Sequence, residues 1–272
     1  PIATLMHRLC PQRYIEQTTF LITPGDKVDL AENRRRLERC GYQNNSQVME
    51  HGEFTVRGSI LDVYPMGAAS PYRIDLFDNE VETIRKFDPE TQRSTDVVDG
   101  IRLLPAREYP FTEEAISHFR TKWRDMFDGD PRNCPVYQDV SQGLKAAGLE
   151  YYLPLFFDST ATLFDYLPTN YITVQIGDIS SAADEFWQQV NARYDQYGHD
   201  LSRPILKPVD VFIPPDVVFG NTKKSQQFKC TLQADTSLPT LELLPIFVAS
   251  TNFRILFSKD TDKAPLLFLG EI

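Results

Sequence analysis

The stretch from Gly52 to Pro65, GEFTVRGSILDVYP, constrains the fold of this chain more than any other. Apolar and polar side chains alternate along it, in the order Phe54, Thr55, Val56 and Arg57, and then Ser59 and Ile60. Such alternation indicates a β-strand with one buried face and one face in solvent. The doublet Ile60-Leu61 changes the phase of the alternation, which predicts a β-bulge after Gly58. The stretch therefore predicts a sheet whose exposed face carries Arg57.

A second stretch, YRIDLFDNE, repeats this pattern from residue 72 onward. The side chains expected to point inward are Tyr72, Ile74 and Leu76, and those expected to point outward are Arg73, Asp75 and Phe77. Burial explains the first set, but it does not explain a phenylalanine among polar residues. If both strands belong to one sheet, Arg57, Arg73 and Phe77 share an exposed surface with the composition of a protein-interface hot spot.

The same pattern also allows a purely structural interpretation. In that alternative the two arginines form ion pairs with Asp75 or Glu82, and Phe77 packs under a loop. The pattern favours neither interpretation. They differ in what they predict for stability, because an arginine that serves only a partner should change the free energy of unfolding by less than about 0.5 kcal/mol when it is replaced by alanine.

Other patterns predict a helix and a turn around these strands. Asp29 and Glu32 have the spacing of a capping box, which predicts a helix from about Leu30 to Cys40. The pair Asp78-Asn79 is expected to form a two-residue hairpin turn. Together with the strands, these elements predict a compact α+β unit over residues 19–105.

The later sequence has the pattern of an α/β layer. Thr112 is the expected N-cap of a helix, and YITVQIGD is typical of a buried strand followed by a helix over residues 180–197. The aromatic run EYYLPLFF could form a stacking platform for single-stranded bases. Its charged neighbours are Glu150 and Asp158 rather than basic residues, so the sequence favours core packing.

The charge balance limits the classes of partner. The chain has 28 Lys and Arg residues against 38 Asp and Glu residues, a net charge of −10, whereas binding to duplex DNA requires clustered basic side chains. The run Arg34, Arg35 and Arg36 is flanked by glutamates and would point in different directions on a helix. Autonomous binding to nucleic acid is therefore not expected, although a basic patch on an acidic body can recognise an acidic protein.

No apolar run reaches the length needed to cross a membrane. The four cysteines are far apart in the sequence, which fits a reducing compartment and predicts a cytoplasmic location. Because the chain opens with PIATLM instead of an initiating methionine, we expect it to be part of a longer protein.

The sequence contains no recognised catalytic motif. It lacks a phosphate-binding loop, a dinucleotide fingerprint and a nucleophile elbow. His51 lies between Glu50 and Glu53, but one imidazole and two local carboxylates make a poor metal site, and a solvated turn is favoured. We therefore predict no catalytic, cofactor-binding or metal-binding residues.

Residues 50–94 carry a specific resemblance. The pattern VRGSILDVYP followed by YRIDLFDNEVETIRKFDPETQ resembles the excision-repair subunit UvrB. The stretches QVMEHGEF, LLPAREYP and GLEYYLPLFF are more similar to the bacterial transcription-repair coupling factors, whose N-terminal region itself resembles UvrB. The resemblance extends from residue 1 to about 200, is weak over 205–250 and returns faintly at RILFS.

This resemblance implies a function. Such factors recognise RNA polymerase stalled at a lesion, displace it with an ATP-driven motor that moves on duplex DNA, and recruit UvrA. The present segment is expected to be the non-catalytic UvrB-like module, with UvrA as its partner and with no cofactor of its own. ATP, Mg²⁺, RNA polymerase and DNA would be bound by other parts of the full-length protein. The residues carried over for UvrA binding are Arg57, Arg73 and Phe77, which are also the three that the sheet pattern selects.

The resemblance also implies a fold class and a domain division. The fold class is α/β: a degenerate, helicase-like (RecA-like) α/β domain with an inserted α+β domain of the UvrB type, and the start of a further α/β domain. The expected ranges are 1–18 with 106–205 for the helicase-like domain, 19–105 for the inserted UvrA-binding domain, 206–239 for a linker, and 240–272 for a fragment of a third domain.

Two rival functions are weighed against the adaptor module. The first is an ATP-hydrolysing helicase-type domain. Active helicases place two neighbouring carboxylates after the corresponding strand to hold Mg²⁺ and orient water, but Gly177-Asp178-Ile179 supplies only Asp178. The second is a damaged-DNA-binding domain, which the charge balance disfavours.

Overall fold

The chain has a mixed α/β fold, as the sequence predicts. A computed structural model describes residues 2–230 and 266–270, and the side chains of 2–227. Its strands are β1 (Phe20–Ile22), β2 (Gln43–Asn44), β3 (Glu53–Arg57), β4 (Ile60–Val63), β5 (Tyr72–Phe77), β6 (Glu80–Phe87), β7 (Ser94–Val97), β8 (Ile101–Leu103), β9 (Ile172–Ile176), β10 (Gln226–Cys230) and β11 (Leu266–Gly270).

Helices lie on both sides of these strands in the sequence. The α-helices are α1 (Ile2–Leu5), α2 (Gln12–Thr18), α3 (Leu30–Arg39), α4 (Glu113–Met126), α5 (Pro135–Ser141), α6 (Leu163–Tyr166), α7 (Ile179–Tyr197), α8 (Pro208–Val211) and α9 (Pro215–Thr222). Two 3₁₀-helices cover Pro131–Asn133 and Leu149–Phe156. No helix within the described ranges is both long and apolar enough to pass through a bilayer.

The described residues divide into two compact units, and residues 9–161 with 198–206 form the first. Its six-stranded sheet has the order β2-β3-β4-β5-β6-β7, and all pairs are antiparallel except β2 with β3. A separate antiparallel pair joins β1 to β8. The core lies on one face of the large sheet, against α3, and includes Leu37, Phe54, Leu61, Val63, Ile74, Leu76 and Ile84. The predicted inward positions of β5 are thus confirmed for Ile74 and Leu76.

The predicted capping signals act as expected. The side chain of Asp29 accepts a hydrogen bond of 2.9 Å from the backbone N–H of Glu32 at the start of α3. The hydroxyl of Thr112 accepts one of 3.3 Å from the N–H of Ala115 at the start of α4. Each bond satisfies a backbone donor that has no partner inside its helix, which fixes where the helix begins.

The predicted β-bulge after Gly58 is wrong, because the chain reverses direction there. Strand β3 ends at Arg57 and β4 begins at Ile60, and these two residues pair across an antiparallel hairpin. The two-residue turn needs a left-handed backbone, which Gly58 adopts with a φ of 60°. The reversal places Ile60 on the same face as Arg57, whereas a continuous strand would have placed it with the core.

The hairpin turn predicted at Asp78-Asn79 is confirmed. Phe77 pairs with Glu80, so two residues connect β5 to β6, and Asp78 takes a φ of 54°. Aspartate and asparagine tolerate this region better than other non-glycine residues, because their short polar side chains can bond locally. The tight turn holds Phe77 at the end of β5, just after a register shift in the β5–β6 pairing between Asp75 and Leu76.

Core packing of the run EYYLPLFF is also confirmed. The 3₁₀-helix Leu149–Phe156 packs on α4, and Leu149, Leu153, Leu155 and Phe156 are buried. The ring of Phe156 lies 5.0 Å from that of Phe119, and the buried hydroxyl of Tyr152 donates to the carbonyl of Pro204 at 2.6 Å. These aromatic rings fill a hydrophobic core, so their faces are not available as a platform for bases. Tyr151 is the exception in the run, since it is 57% exposed.

The second unit contains the other described residues. Its three-stranded sheet is parallel, in the order β10-β9-β11, and α7 follows β9 as predicted. Its core includes Ile2, Leu5, Met6, Ile179, Ala183, Ile213 and Val218. Within the predicted linker 206–239, the structure has α8, α9 and β10. Most of the predicted third-domain fragment, 240–265 and 271–272, lies outside the described residues. The domain boundaries themselves stay a prediction.

Candidate functional site

The face of the six-stranded sheet that points away from the core carries all three predicted site residues. We call this face the outer face and define it by Arg57, Ile60, Asp62, Arg73, Asp75 and Phe77. Strand register arranges it in rows, because Arg57 pairs with Ile60, which pairs with Asp75. In the next row Asp62 pairs with Arg73. Phe77 lies two residues beyond Asp75 along β5, so its side chain returns to the same face.

Asp62 joins the two predicted arginines. Its side chain is fully buried, although it lies on the outer face. Nη2 of Arg57 donates to Oδ2 of Asp62 at 2.6 Å. Arg73 binds the same carboxylate with two donors, Nε to Oδ1 at 2.8 Å and Nη2 to Oδ2 at 2.9 Å. A buried carboxylate is tolerated because both of its oxygens accept charge-assisted hydrogen bonds.

The side chain of Arg73 also contacts residues other than Asp62. Its guanidinium carbon lies 5.0 Å from the ring centroid of Phe87, and its Nη1 donates to the carbonyl of Gln92 at 3.2 Å. The hydrogen bonds with Asp62 raise the pKa of Arg73 above its ordinary value. Only 17% of its side chain is exposed. These contacts give Arg73 a role in the fold that the sequence pattern did not show.

The other two predicted site residues are more accessible. The side chain of Arg57 is 48% exposed at the end of β3, and Phe77 is 73% exposed at the end of β5. The N–H of Leu76 donates to the carbonyl of Ser59 at 2.9 Å, which ties the end of β5 to the Gly58–Ser59 turn. Arg57 and Phe77 therefore lie at the same end of the outer face.

Neither sequence-based interpretation is correct in full. The arginines do form ion pairs, but with Asp62 and not with Asp75 or Glu82. Phe77 does not pack under a loop. Asp62 is the residue that sequence reasoning missed. The available signal was an aspartate inside the apolar run ILDV, since a charged residue in such a run requires a buried partner.

A loop next to the outer face is held by Glu53. Its Oε2 accepts hydrogen bonds from the N–H groups of Met49 at 2.8 Å and Glu50 at 2.9 Å, and its Oε1 accepts one from Asn45. Partial burial acts to raise the pKa of Glu53, but the three donors outweigh it and lower the pKa below 4.5. The segment with Glu50, His51 and Glu53 is therefore a hydrogen-bonded turn.

The first prediction concerns this turn. Because the pKa of Glu53 is lower in the folded state, its stabilisation is complete above the ordinary glutamate pKa and is lost as the pH falls through the folded value. Glu53→Gln should lower the free energy of unfolding by about 1 kcal/mol near neutral pH, as the loss of a helix cap does. Urea unfolding of both proteins should show the difference shrinking below about pH 4. A difference that is constant with pH would contradict this role.

Asp178 caps a helix instead of standing free. It precedes α7, and its carboxylate accepts hydrogen bonds from the hydroxyl of Ser181 at 2.7 Å and from its backbone N–H at 3.1 Å. These bonds lower the pKa of Asp178. The position after β9 thus holds one exposed carboxylate that is engaged by its own helix.

Comparison with known proteins shows which family the domain that carries this site resembles. Residues 20–109, which include the entire six-stranded sheet, match the family described as the UvrB interaction domain. The chain is 43% identical over 220 residues to the transcription-repair-coupling factor of Haemophilus influenzae, covering 80% of this chain and 19% of that protein. It is 40% identical over 226 residues to that of Escherichia coli, covering 82% and 20%. The corresponding factor of Myxococcus xanthus is 29% identical over 284 residues, covering 99% and 23%.

The match over residues 20–109 shows that the chain contains a UvrB interaction domain. The relatives are more specific: the chain belongs to the family of transcription-repair-coupling factors and corresponds to their N-terminal, UvrB-like segment. The chain spans about a fifth of the length of the curated relatives that it matches.

Proposed function

We propose that the outer face binds UvrA and that the chain recruits this repair subunit to sites where RNA polymerase has stalled at a lesion. The observation that carries the proposal is the exposed Phe77 beside the half-exposed Arg57. Aromatic and arginine side chains are enriched among the residues that dominate binding energy. A large ring in solvent contributes little to folding, so a partner is the better explanation for its position.

Asp62 supports the proposal through rigidity. An arginine side chain that is free in solution loses conformational entropy when a partner fixes it, which reduces affinity. The hydrogen bond from Arg57 to Asp62 orders the guanidinium before any partner arrives, while its exposed part stays available for an acidic group. In this proposal Arg57 and Phe77 make the principal contacts with UvrA. Arg73 contributes its small exposed edge and holds Asp62 in place.

Direct binding tests this function. Isothermal titration of the chain with purified UvrA should show saturable binding that weakens as salt is added, because arginine contacts at an interface are screened by ions. An unrelated acidic protein that is similar in size to UvrA serves as the control for non-specific electrostatic attraction. Absence of saturable binding to UvrA at low salt would contradict the proposal.

We also propose that the second unit belongs to the degenerate helicase-like domain that the sequence predicts over residues 1–18 and 106–205, and that it has no motor activity. Parallel strands with a helix following β9 are the arrangement expected for one layer of such a domain. The lone carboxylate of Asp178 supports the loss of catalysis, since it is already used as a helix cap and lacks the acidic neighbour that Mg²⁺ chemistry requires. Movement on DNA and displacement of RNA polymerase would belong to other parts of the full-length protein.

The second prediction follows from this assignment. The chain alone should not hydrolyse ATP above background in the presence of Mg²⁺, and Asp178→Asn should leave that background unchanged. A coupled assay of released phosphate measures both proteins under the same conditions. Turnover that survives repurification and disappears in Asp178→Asn would show that the domain is an active nucleotidase.

A further inference from the structure

A cavity of about 210 Å³ lies in the first unit, and none of the residues that define the outer face lines it. Its lining includes Gly41, Gln43, His51, Arg107, Tyr109 and Lys145. This volume is several times the roughly 30 Å³ that one water molecule occupies in the liquid. Two of the lining residues are cations, and no aspartate or glutamate lines the cavity, in a chain whose net charge is −10.

Arg107 lies in this cavity without a counter-charge. Its Nε atom is buried and has no hydrogen-bond partner among the residues that the structure describes. Its guanidinium carbon lies 5.3 Å from the ring centroid of Phe111, and an aromatic face offers no oxygen to accept a hydrogen bond. Buried polar groups are almost always hydrogen-bonded. The Nε atom is packed against Gly41 and closed to a ligand, so an anion in the cavity would be bound by the Nη atoms at the end of the guanidinium.

Contacts with neighbouring residues hold the backbone around Arg107 in this position. The hydroxyl of Tyr14 donates to the backbone carbonyl of Arg107 at 3.2 Å, and the N–H of Ala106 donates to the carbonyl of Cys40 at 2.8 Å. A side chain at Gly41 would collide with the aliphatic part of Arg107, so the glycine leaves room for it. The backbone on both sides is thus fixed, and the space left by Gly41 accommodates the side chain of Arg107.

Lys145 adds a second positive charge. Lys145 is an exposed residue whose head group is only partly buried; this partial burial, followed by repulsion from Arg107, lowers the pKa of Lys145. Burial lowers the pKa of Arg107 as well. Glu150 acts on Tyr109, one of the lining groups. A cation whose charged form is disfavoured by burial and by a neighbouring cation is stabilised when an anion binds beside it.

We propose that this cavity binds a phosphate group, held by Arg107 and Lys145. The planar fork of an arginine can engage two oxygens of a tetrahedral anion, while a lysine acts on a third as a point charge. Tyr109 and Gln43 add neutral hydrogen-bond donors at the cavity wall. The site shares no residue with the outer face and does not depend on the proposed UvrA binding.

Titration with inorganic phosphate tests the proposal, with sodium chloride at the same ionic strength and pH as the reference. The melting temperature should rise with phosphate beyond the chloride series, because a ligand that binds only the folded state stabilises it. Arg107→Gln should weaken the apparent affinity by about tenfold or more, as removal of a charged hydrogen-bond partner does. Lys145→Gln should weaken it as well, and it should fold normally because this side chain is largely exposed.

Arg102→Gln is the matched control, since Arg102 is an exposed arginine on β8 outside the cavity. It should keep the full response to phosphate. Adenosine 5′-monophosphate identifies the source of the phosphate: tighter binding than inorganic phosphate would indicate a nucleotide, and equal or weaker binding would indicate free phosphate. A response that Arg107→Gln retains would be a general salt effect and would overturn the proposal. So would the absence of a response to phosphate, or an equal response to acetate.

Discussion

Replacement of Arg73 by alanine is expected to lower the free energy of unfolding by about 3 kcal/mol. Arg73 supplies two of the three hydrogen bonds that reach the buried carboxylate of Asp62. Without it, a charge with no exposed surface keeps a single arginine donor, and removal of one member of a buried ion pair is costly for this reason. Chemical denaturation of both proteins at neutral pH measures the difference.

Arg57→Ala provides the comparison within the same cluster. Arg57 makes one hydrogen bond to Asp62 and its side chain is about half exposed, so its removal should cost only about 1 kcal/mol. Arg102→Ala, at an exposed position of β8, should change stability by less than about 0.5 kcal/mol. Equal stability of Arg73→Ala and the wild-type chain would show that Asp62 does not need Arg73. It would restore the expectation from the sequence that the arginine serves only a partner.

Phe77→Ala is expected to leave folding almost unchanged and to weaken binding to UvrA by about 1–3 kcal/mol, or roughly 5- to 150-fold. The ring is mostly in solvent in the free chain, so its removal opens no cavity in the core. At an interface the same ring would be desolvated, and its loss would remove a large apolar contact. Calorimetric titration with UvrA gives the affinity, and denaturation of the same sample gives the stability.

Leu21→Ala is the matched control for this effect. Leu21 is 61% exposed and belongs to the same UvrB interaction domain, but it lies on the β1–β8 pair instead of the outer face. Its replacement should leave the affinity for UvrA unchanged. Similar losses in both variants would point to a general apolar attraction. A lower melting temperature for Phe77→Ala, with unchanged affinity, would make the ring a structural residue.

The sequence predicted the parts of the fold that depend on local chemistry. The inward positions Ile74 and Leu76 follow from alternation because one face of the sheet must be buried. The caps at Asp29 and Thr112 follow from side chains that satisfy free backbone donors. The turn at Asp78 follows from residues that tolerate a left-handed backbone.

The sequence did not predict the reversal at Gly58, although a signal was present. Glycine followed by serine between two alternating runs is typical of a two-residue hairpin turn, but the doublet Ile60-Leu61 also fits a bulge. The choice decides which residues face each other across strands. Only the hairpin brings Asp62 opposite Arg73, so the ion-pair cluster of the candidate site could not be predicted from a bulged strand.

The cavity around Arg107 was beyond sequence reasoning for a different reason. Its lining residues come from separate parts of the chain, from Gly41 to Lys145. The motif LLPAREYP shows an arginine between polar and aromatic neighbours and gives no sign that its Nε atom is buried without a partner. Such a site depends on tertiary packing, which alternation and capping rules do not determine.

Site-specific photocrosslinking at position 77 tests the central claim most directly, because it records contact without relying on a change in affinity. Phe77→p-benzoylphenylalanine keeps an aromatic ring at the end of β5, and the same replacement at Leu21 places the probe elsewhere on the domain. The account predicts that illumination with purified UvrA yields a covalent complex from position 77 and none from position 21. A covalent complex from position 21, with none from position 77, would contradict the assignment of the outer face as the UvrA-binding surface.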